Sequence, residues 1–109
     1  MKGIIITSHG PMAQGIVETT KFFFGEQDQL EACCLDAKED PSAFCERLKD
    51  AIRRISGKEG VIVFCDLIFG VPCDCLMKLI SEEMADEKID VITGVSLAMV
   101  LQALALRPY

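Results

Sequence analysis

Short apolar runs recur along the chain at intervals of roughly thirty residues, the length of a strand followed by a helix. The first and third runs are unbroken and rich in β-branched residues, which is typical of central parallel strands covered on both faces. The second run contains the charged Glu31, which indicates a strand at the edge of a sheet. These runs predict β-strands at Gly3–Thr7, Leu30–Leu35, Gly60–Asp66 and Ile89–Thr93.

The segments between the strands have the apolar periodicity and the end signals of helices. The first helix is predicted at Pro11–Phe24, with a proline in its first turn and Gly25 just beyond its end. The second helix has Asp40 as its N-cap and stops at Gly57. One face of this second helix is apolar and comprises Phe44, Leu48, Ile52 and Ile55.

Two further helices are predicted, one beginning at Pro72 and one near Ser96. The apolar side of the third helix comprises Leu76, Ile80 and Met84. The fourth helix is apolar on almost every side and is interrupted mainly by Gln102, so it is too apolar for the surface of a monomer. We therefore expect that a partner chain, or residues beyond Tyr109, cover it.

This alternation of strands and helices predicts an α/β fold of three layers, with helices on both faces of a four-stranded parallel sheet and right-handed crossovers. The pattern does not determine the strand order. In the order 2-1-3-4, which we adopt, the chain reverses direction between the first and third strands, and the crevice at their carboxyl ends is the expected site. A chain of 109 residues suffices for one domain, which we expect to span residues 1–109.

Charge and apolar run length argue against a nucleic-acid-binding protein, a membrane protein and a secreted protein. The formal net charge is −6 without a clustered basic face, which argues against a nucleic-acid partner. No apolar run approaches the length of a membrane span, and the first residues lead directly into Ile4–Ile6 rather than into a signal-peptide core. We therefore expect a cytoplasmic protein.

Six cysteines are present, and nothing indicates the secretion that would favour disulfides. Their spacings, C-C and C-x-C, lack the C-x-x-C pair of zinc sites, so we expect no metal ion and six reduced, structural thiols. Cys73 and Cys75 are the better candidates for redox chemistry, because both fall near the predicted start of a helix, where a thiol pKa is lowered. The cysteines are Cys33, Cys34, Cys45, Cys65, Cys73 and Cys75.

His9, the only histidine, is the first candidate for chemistry. It lies between the first strand and the first helix, where helix N-terminal amides stabilise an anion and Gly10 allows close backbone approach. Asp66 ends the third strand, so the two side chains share a crevice if the first and third strands are neighbours. A carboxylate bonded to one ring nitrogen sets the tautomer and leaves the other nitrogen as a nucleophile. Both residues could instead have purely structural roles. His9 would then cap the helix, and Asp66 would stabilise a turn.

These features together resemble the enzyme IIA domain of the mannose family of the bacterial phosphoenolpyruvate-dependent sugar phosphotransferase system (PTS). The resemblance covers the whole chain and is carried by Ser8-His9-Gly10, Asp66, Gly70, Pro72 and Gly94-Val95. In that family the histidine that matches His9 accepts a phosphoryl group from the phosphocarrier protein HPr. It then donates the group to an enzyme IIB domain, which phosphorylates the incoming sugar. The resemblance implies that Asp66 orients His9, and we expect no cofactor.

The loop after Asp66 departs from the family pattern of two glycines, a serine or threonine and a proline. Phe69 replaces a glycine, and Val71 replaces the hydroxyl residue. A lost hydroxyl donor to a charged phosphoryl group could cost about 1.5–3 kcal/mol, which other donors can offset. We expect phosphate contacts from Ser8, Gly10, Gly70 and Val71, and partner docking through Met12, Ile68 and Phe69.

The resemblance also implies a homodimer in which the two subunits exchange a C-terminal strand, and we expect a homodimer here. The sequence stops at Tyr109, directly after the fourth helix, so we expect the family's final segment to be missing. The resemblance implies HPr and enzyme IIB as direct partners, and membrane sugar permease components as indirect ones.

Three alternatives stay open at this point. The first is a phosphocarrier subunit of a dihydroxyacetone kinase. Such a subunit has a similar fold and site, and it differs in the protein to which it donates the phosphoryl group. A domain of this shape inside a transcription regulator would use phosphorylation as a switch. A phosphate-free binding module would use Phe69 and Val71 for docking in place of catalysis.

Overall fold

The computed structural model describes residues 1–107. Strands and helices alternate along the whole of this range, as the apolar runs predicted. The elements are β1 (Gly3–His9), α1 (Met12–Phe24), β2 (Leu30–Leu35), α2 (Pro41–Ile55), β3 (Val61–Cys65), α3 (Val71–Lys78), β4 (Ile89–Thr93) and α4 (Leu97–Leu106).

The four strands form one parallel sheet in the order β2-β1-β3-β4. The predicted fold class and strand order are therefore confirmed, and β2 lies at an edge as its charged residue indicated. β1 runs two residues beyond the predicted end at Thr7, because Ser8 and His9 still pair with Cys34 and Leu35 of β2. The chain thus holds His9 on the sheet.

Side chains alternate across the sheet and bury both of its faces. Ile5 and Val63 pack under α2 and α3, whereas Ile4 and Ile6 pack under α1 and α4. These four side chains are fully buried. Burial on both faces explains why β1 and β3 are continuous apolar runs, and it makes the two central strands a rigid base for the loops at their carboxyl ends.

Helix α2 follows its prediction closely. The Asp40 carboxylate accepts a hydrogen bond from the backbone N–H of Ala43 at 3.2 Å, and Pro41 occupies the first turn. The helix ends at Ile55, before Gly57. Its predicted apolar face is buried and comprises Phe44, Leu48, Ile52 and Ile55.

Helix α3 begins one residue earlier than predicted and is not a regular α-helix throughout. It begins at Val71, one residue before Pro72, and it continues into a π-helical turn at Leu79–Glu83. The π-helical turn moves the apolar positions out of strict helical register, so Leu76 and Met84 are buried while Ile80 is half-buried.

Helix α4 begins after Ser96, whose hydroxyl accepts from the backbone N–H of Met99 at 3.2 Å. Val100 and Leu104 are buried, whereas Leu106 is exposed. Whether a partner chain covers this helix stays a prediction. Within residues 1–107, no helix is both long enough and apolar enough to cross a membrane.

Candidate functional site

The carboxyl ends of β1 and β3 bring His9 and Asp66 into direct contact. The His9 ring nitrogen Nδ1 lies 2.9 Å from Asp66 Oδ2, and the His9 backbone N–H donates to the same oxygen at 2.9 Å. The His9 side chain is 41% exposed and the Asp66 side chain only 10%. The nucleophile predicted from the sequence is therefore open to solvent, and its partner is held beneath it.

The protein backbone fixes the Asp66 carboxylate in turn. Oδ1 accepts from the backbone N–H of Leu67 at 2.8 Å, and the Asp66 backbone N–H donates to the Thr7 carbonyl at 3.2 Å. Burial alone would raise the pKa of the Asp66 carboxyl, but hydrogen bonds from the backbone and ring of His9 and from Leu67 hold that pKa below its ordinary value. An ionised Asp66 accepts a proton-bearing Nδ1, which leaves the lone pair of His9 on Nε2.

Gly70 lies directly against that free nitrogen. A Cβ atom on Gly70 would come within 2.4 Å of His9 Nε2 and 2.7 Å of Cε1. The φ angle of Gly70 is +96°, in the region that favours glycine. The β3–α3 loop therefore reaches Nε2 only because residue 70 has no side chain.

The first turn of α3 follows Gly70 immediately. The Asp74 N–H donates to the Gly70 carbonyl at 3.0 Å, which is the first bond of the helix. Pro72 has no N–H, and the N–H groups of Val71 and Cys73 have no acceptor inside the helix. Two backbone donors at a helix N-terminus thus stand next to the residue that touches Nε2, a position that favours an anion.

Ser8 and Gly10 shape the β1–α1 turn. The buried Ser8 hydroxyl accepts from the Ala13 N–H at 2.8 Å and donates to the Gly10 carbonyl at 3.0 Å. The Gly10 N–H donates to the Leu35 carbonyl at 2.8 Å. A Cβ on Gly10 would meet no atom within 4 Å, so its φ of +66°, rather than close approach, requires glycine. The phosphate contacts predicted for both residues stay predictions.

The apolar residues predicted for docking are exposed around this site. Phe69 is 77% exposed and Ile68 is 62% exposed, and Met12 lies at the start of α1. Leu67, which the sequence reasoning missed, is exposed as well. Its position between Asp66 and Ile68 was the available signal. We call Met12, Leu67, Ile68 and Phe69 the apolar rim.

The six cysteines are all free. The expectation of a lowered thiol pKa near the start of α3 is wrong for Cys75, because burial and a hydrogen bond with Cys45 raise the pKa of this thiol to about 12. Burial likewise raises the pKa of Cys33 to about 11 and that of Cys65 to about 12. In residues 1–107, no group of three or more His, Cys, Asp or Glu side chains is placed to hold a metal ion.

The sheet order, the histidine at the end of β1 and the aspartate after β3 together define the class of protein. The family model EIIA-man, described as "PTS system fructose IIA component", matches residues 3–109. The chain therefore belongs to the mannose-type enzyme IIA family of the PTS, as its motifs predicted. It is an EIIA component of the phosphotransferase system, a phosphocarrier for sugar uptake.

Known relatives agree with this assignment. The PTS system fructose-specific EIIA component of Bacillus subtilis (strain 168) is 28% identical over 109 residues, which cover 100% of this chain and 73% of the relative. The PTS system mannose-specific EIIAB component of Escherichia coli (strain K12) is 23% identical over 104 residues, or 95% of this chain and 31% of that protein. The crystal structure of phosphotransferase system component EIIA from Streptococcus agalactiae matches with a TM-score of 0.88 at 26% identity, and it covers 99% of this chain and 80% of that chain.

Proposed function

We propose that this protein accepts a phosphoryl group from HPr on Nε2 of His9 and passes it to an enzyme IIB component, which serves sugar uptake and phosphorylation. The observation that carries the proposal is the 2.9 Å contact between Asp66 Oδ2 and His9 Nδ1, which directs the ring lone pair to Nε2. In this proposal residues 1–109 form a single EIIA domain that acts in the cytoplasm as a homodimer. The membrane sugar permease is an indirect partner.

The proposed chemistry is two displacements at phosphorus. In the first, the lone pair of Nε2 attacks the phosphoryl group of the donor, and the bond from phosphorus to the donor breaks as the new P–N bond forms. Positive charge develops on the imidazole, and the ionised Asp66 stabilises it through the Nδ1 hydrogen bond. In the second, the nucleophile of the acceptor takes the phosphoryl group, and the electron pair returns to Nε2.

The phosphoryl oxygens need donors close to Nε2. We assign them to the backbone N–H groups of Val71 and Cys73 at the start of α3, beside Gly70. Val71 then contributes through its backbone, so the side-chain hydroxyl that the family carries there is dispensable. Ser8 and Gly10 act by holding the turn that presents His9.

The apolar rim is the proposed docking surface for both partners. Its side chains flank His9 on the β3–α3 loop and at the start of α1, so a protein that reaches Nε2 covers them. Burial of apolar side chains around a small polar centre is the usual anatomy of a protein–protein contact.

The test is labelling with radioactive phosphoenolpyruvate in the presence of enzyme I and HPr, followed by addition of an enzyme IIB component. We expect a label that is labile in acid and stable in base, that is absent from His9→Ala protein, and that leaves the wild-type chain when enzyme IIB is added. His9 is the only histidine, so label retained in His9→Ala would overturn the assignment. Label that moves to a dihydroxyacetone kinase and not to enzyme IIB would overturn the proposed acceptor.

A further inference from the structure

Two thiols meet where α2 packs on α3, away from His9. The Cys75 Sγ lies 3.8 Å from the Pro41 carbonyl oxygen, and the Cys45 Sγ lies 4.0 Å from the Cys75 carbonyl oxygen. Pro41 and Cys45 are one helical turn apart, so the Cys75 side chain lies along the first turn of α2. Each thiol therefore lies against the backbone of the segment that carries the other thiol.

We propose that Cys45 and Cys75 are a redox modification site, at which a hydroperoxide joins the two thiols in a reversible disulfide between α2 and α3. Both side chains are half-buried, so a small oxidant can reach them. The inference does not depend on the phosphocarrier function, because neither cysteine contacts His9 or Asp66.

The two cysteines take different roles in this reaction. Burial and the hydrogen bond with Cys45 keep the Cys75 thiol protonated, which makes Cys75 a poor first nucleophile. Cys45 therefore attacks the terminal oxygen of the hydroperoxide. An S–O bond forms as the O–O bond breaks, the sulfur is oxidised to a sulfenic acid, and the other oxygen leaves as water or an alcohol. Cys75 then attacks the Cys45 sulfur, and the S–S bond forms as the S–O bond of the sulfenic acid breaks. The thiol proton of Cys75 leaves with the sulfenic hydroxyl group as water. In total two thiols and one hydroperoxide give one disulfide, one water and one water or alcohol.

The other cysteines differ in ways that make them internal controls. Cys65 and Cys73 are close to each other but buried, which excludes the oxidant. Cys33 is buried as well. Cys34 is half-buried on β2, so it reports how fast an accessible thiol outside the pair reacts.

The experiment treats the purified, reduced protein with hydrogen peroxide, quenches it and blocks free thiols with an alkylating mass tag. Intact mass spectrometry should show the loss of two of six free thiols, and non-reducing peptide mapping should recover a Cys45–Cys75 linked peptide that dithiothreitol separates. Wild-type protein that keeps all six thiols while a free cysteine standard is fully oxidised would overturn the proposal. So would a disulfide that maps to another pair or that joins two chains.

Matched variants separate the assigned roles. Cys75→Ser should accumulate a sulfenic acid at Cys45 that dimedone traps, whereas Cys45→Ser should form neither the disulfide nor the dimedone adduct. Cys34→Ser should behave like the wild type. Equal dimedone labelling of Cys75 in Cys45→Ser protein would overturn the order of attack, and the peptide map of the wild type tests the site even if a variant does not fold.

Discussion

At the scale of single residues, one oxygen of Asp66 binds two donors of the same residue. Oδ2 accepts from the backbone N–H and from the ring of His9, while Oδ1 accepts from the Leu67 N–H. Three N–H groups thus share one carboxylate. This arrangement orients the ring and holds the turn after β3 at the same time.

We expect Asp66→Asn to fold and to accept phosphate about 10²-fold more slowly. An amide offers one oxygen for three donors, and its NH₂ group favours a ring with the proton on Nε2, which removes the lone pair from the reacting position. Transfer from HPr should be measured by quenched flow for this variant and for Asp86→Asn, an exposed carboxylate near the opposite end of the sheet. If the folded wild type, Asp66→Asn and Asp86→Asn proteins all accept phosphate at the same rate, Asp66 only stabilises the turn and has no role in transfer.

Gly70→Ala should almost abolish phosphorylation of His9. The added methyl group would lie 2.4 Å from Nε2, so the loop must move or the nitrogen is blocked. An alanine in this backbone conformation also costs about 1–3 kcal/mol of stability, so the loss of stability needs its own control. Gly25→Ala supplies it, because Gly25 has a φ of +67° and no atom within 4 Å of a new Cβ at the far end of α1. The prediction is wrong if both variants are labelled at the wild-type rate.

The His9–Asp66 pair could be predicted from the sequence because both residues lie at the carboxyl ends of strands, and the ends of adjacent parallel strands are neighbours. It does not reach the contact between Gly70 and Nε2. That contact depends on the path of the β3–α3 loop, which is set by the φ of Gly70 and by the bond from Leu67 to Asp66 rather than by any periodic pattern. The positive φ of Gly10 likewise could be guessed from the residue type, but its actual partner, the Leu35 carbonyl, depends on the pairing of β1 with β2.

At the scale of elements, the β3–α3 loop presents large apolar side chains to solvent directly beside a charged pair. Phe69 is 77% exposed and Ile68 is 62% exposed. A side chain so exposed contributes little to folding, because it gains no burial. Its contribution, in the proposed function, is to contacts with partner proteins.

Phe69→Ala should raise the KM for HPr about tenfold and leave kcat and the unfolding midpoint unchanged. A phenyl ring buried in a protein contact commonly contributes on the order of 1.4 kcal/mol, which corresponds to this factor. Phe22→Ala is the matched control, because Phe22 is 90% exposed but lies near the other end of α1. A lower kcat with unchanged KM would place Phe69 in the chemistry instead of the docking surface.

The elements themselves were largely predictable, and their boundaries less so. The cap at Asp40 and the apolar face of α2 follow from local chemistry alone, so α2 was predicted almost to the residue. The end of β1 could not be predicted in this way. Ser8 and His9 remain in the strand only because β2 extends beside them. The π-helical turn after Lys78 was also missed, because an extra residue in a helix leaves no simple trace in an apolar pattern.

At the scale of the whole molecule, the free energy of unfolding should decrease in acid. Part of this decrease should come from protonation of Asp66 in the candidate site. Hydrogen bonds from His9 and Leu67 hold the pKa of Asp66 below its ordinary value, and those from Arg47 do the same for Glu39. A lowered carboxyl pKa stabilises the folded chain above the ordinary value near 4, and this contribution is lost as the pH falls through the lowered pKa.

The contribution of Asp66 to this pH dependence can be measured by urea unfolding of the wild type and of Asp66→Asn, at pH 7 and at successively lower pH. We expect the wild type to be the more stable protein at pH 7, and the difference between the two free energies of unfolding to shrink below about pH 4. Asp86→Asn is the matched control for the removal of an exposed carboxylate. A difference that stays constant down to pH 2 would mean that Asp66 keeps no depressed pKa in the folded chain.

Because the backbone and the ring of His9 bond to one oxygen of Asp66, the imidazole is anchored to the sheet and is not mounted on a flexible arm. Under the proposed function, such a carrier cannot swing its cargo from one partner to the other. Donor and acceptor must instead dock in turn over the same rim, each leaving before the other arrives. Steady-state kinetics should then follow a ping-pong scheme, in which an excess of unphosphorylated HPr or of enzyme IIB competitively inhibits the half-reaction of the other.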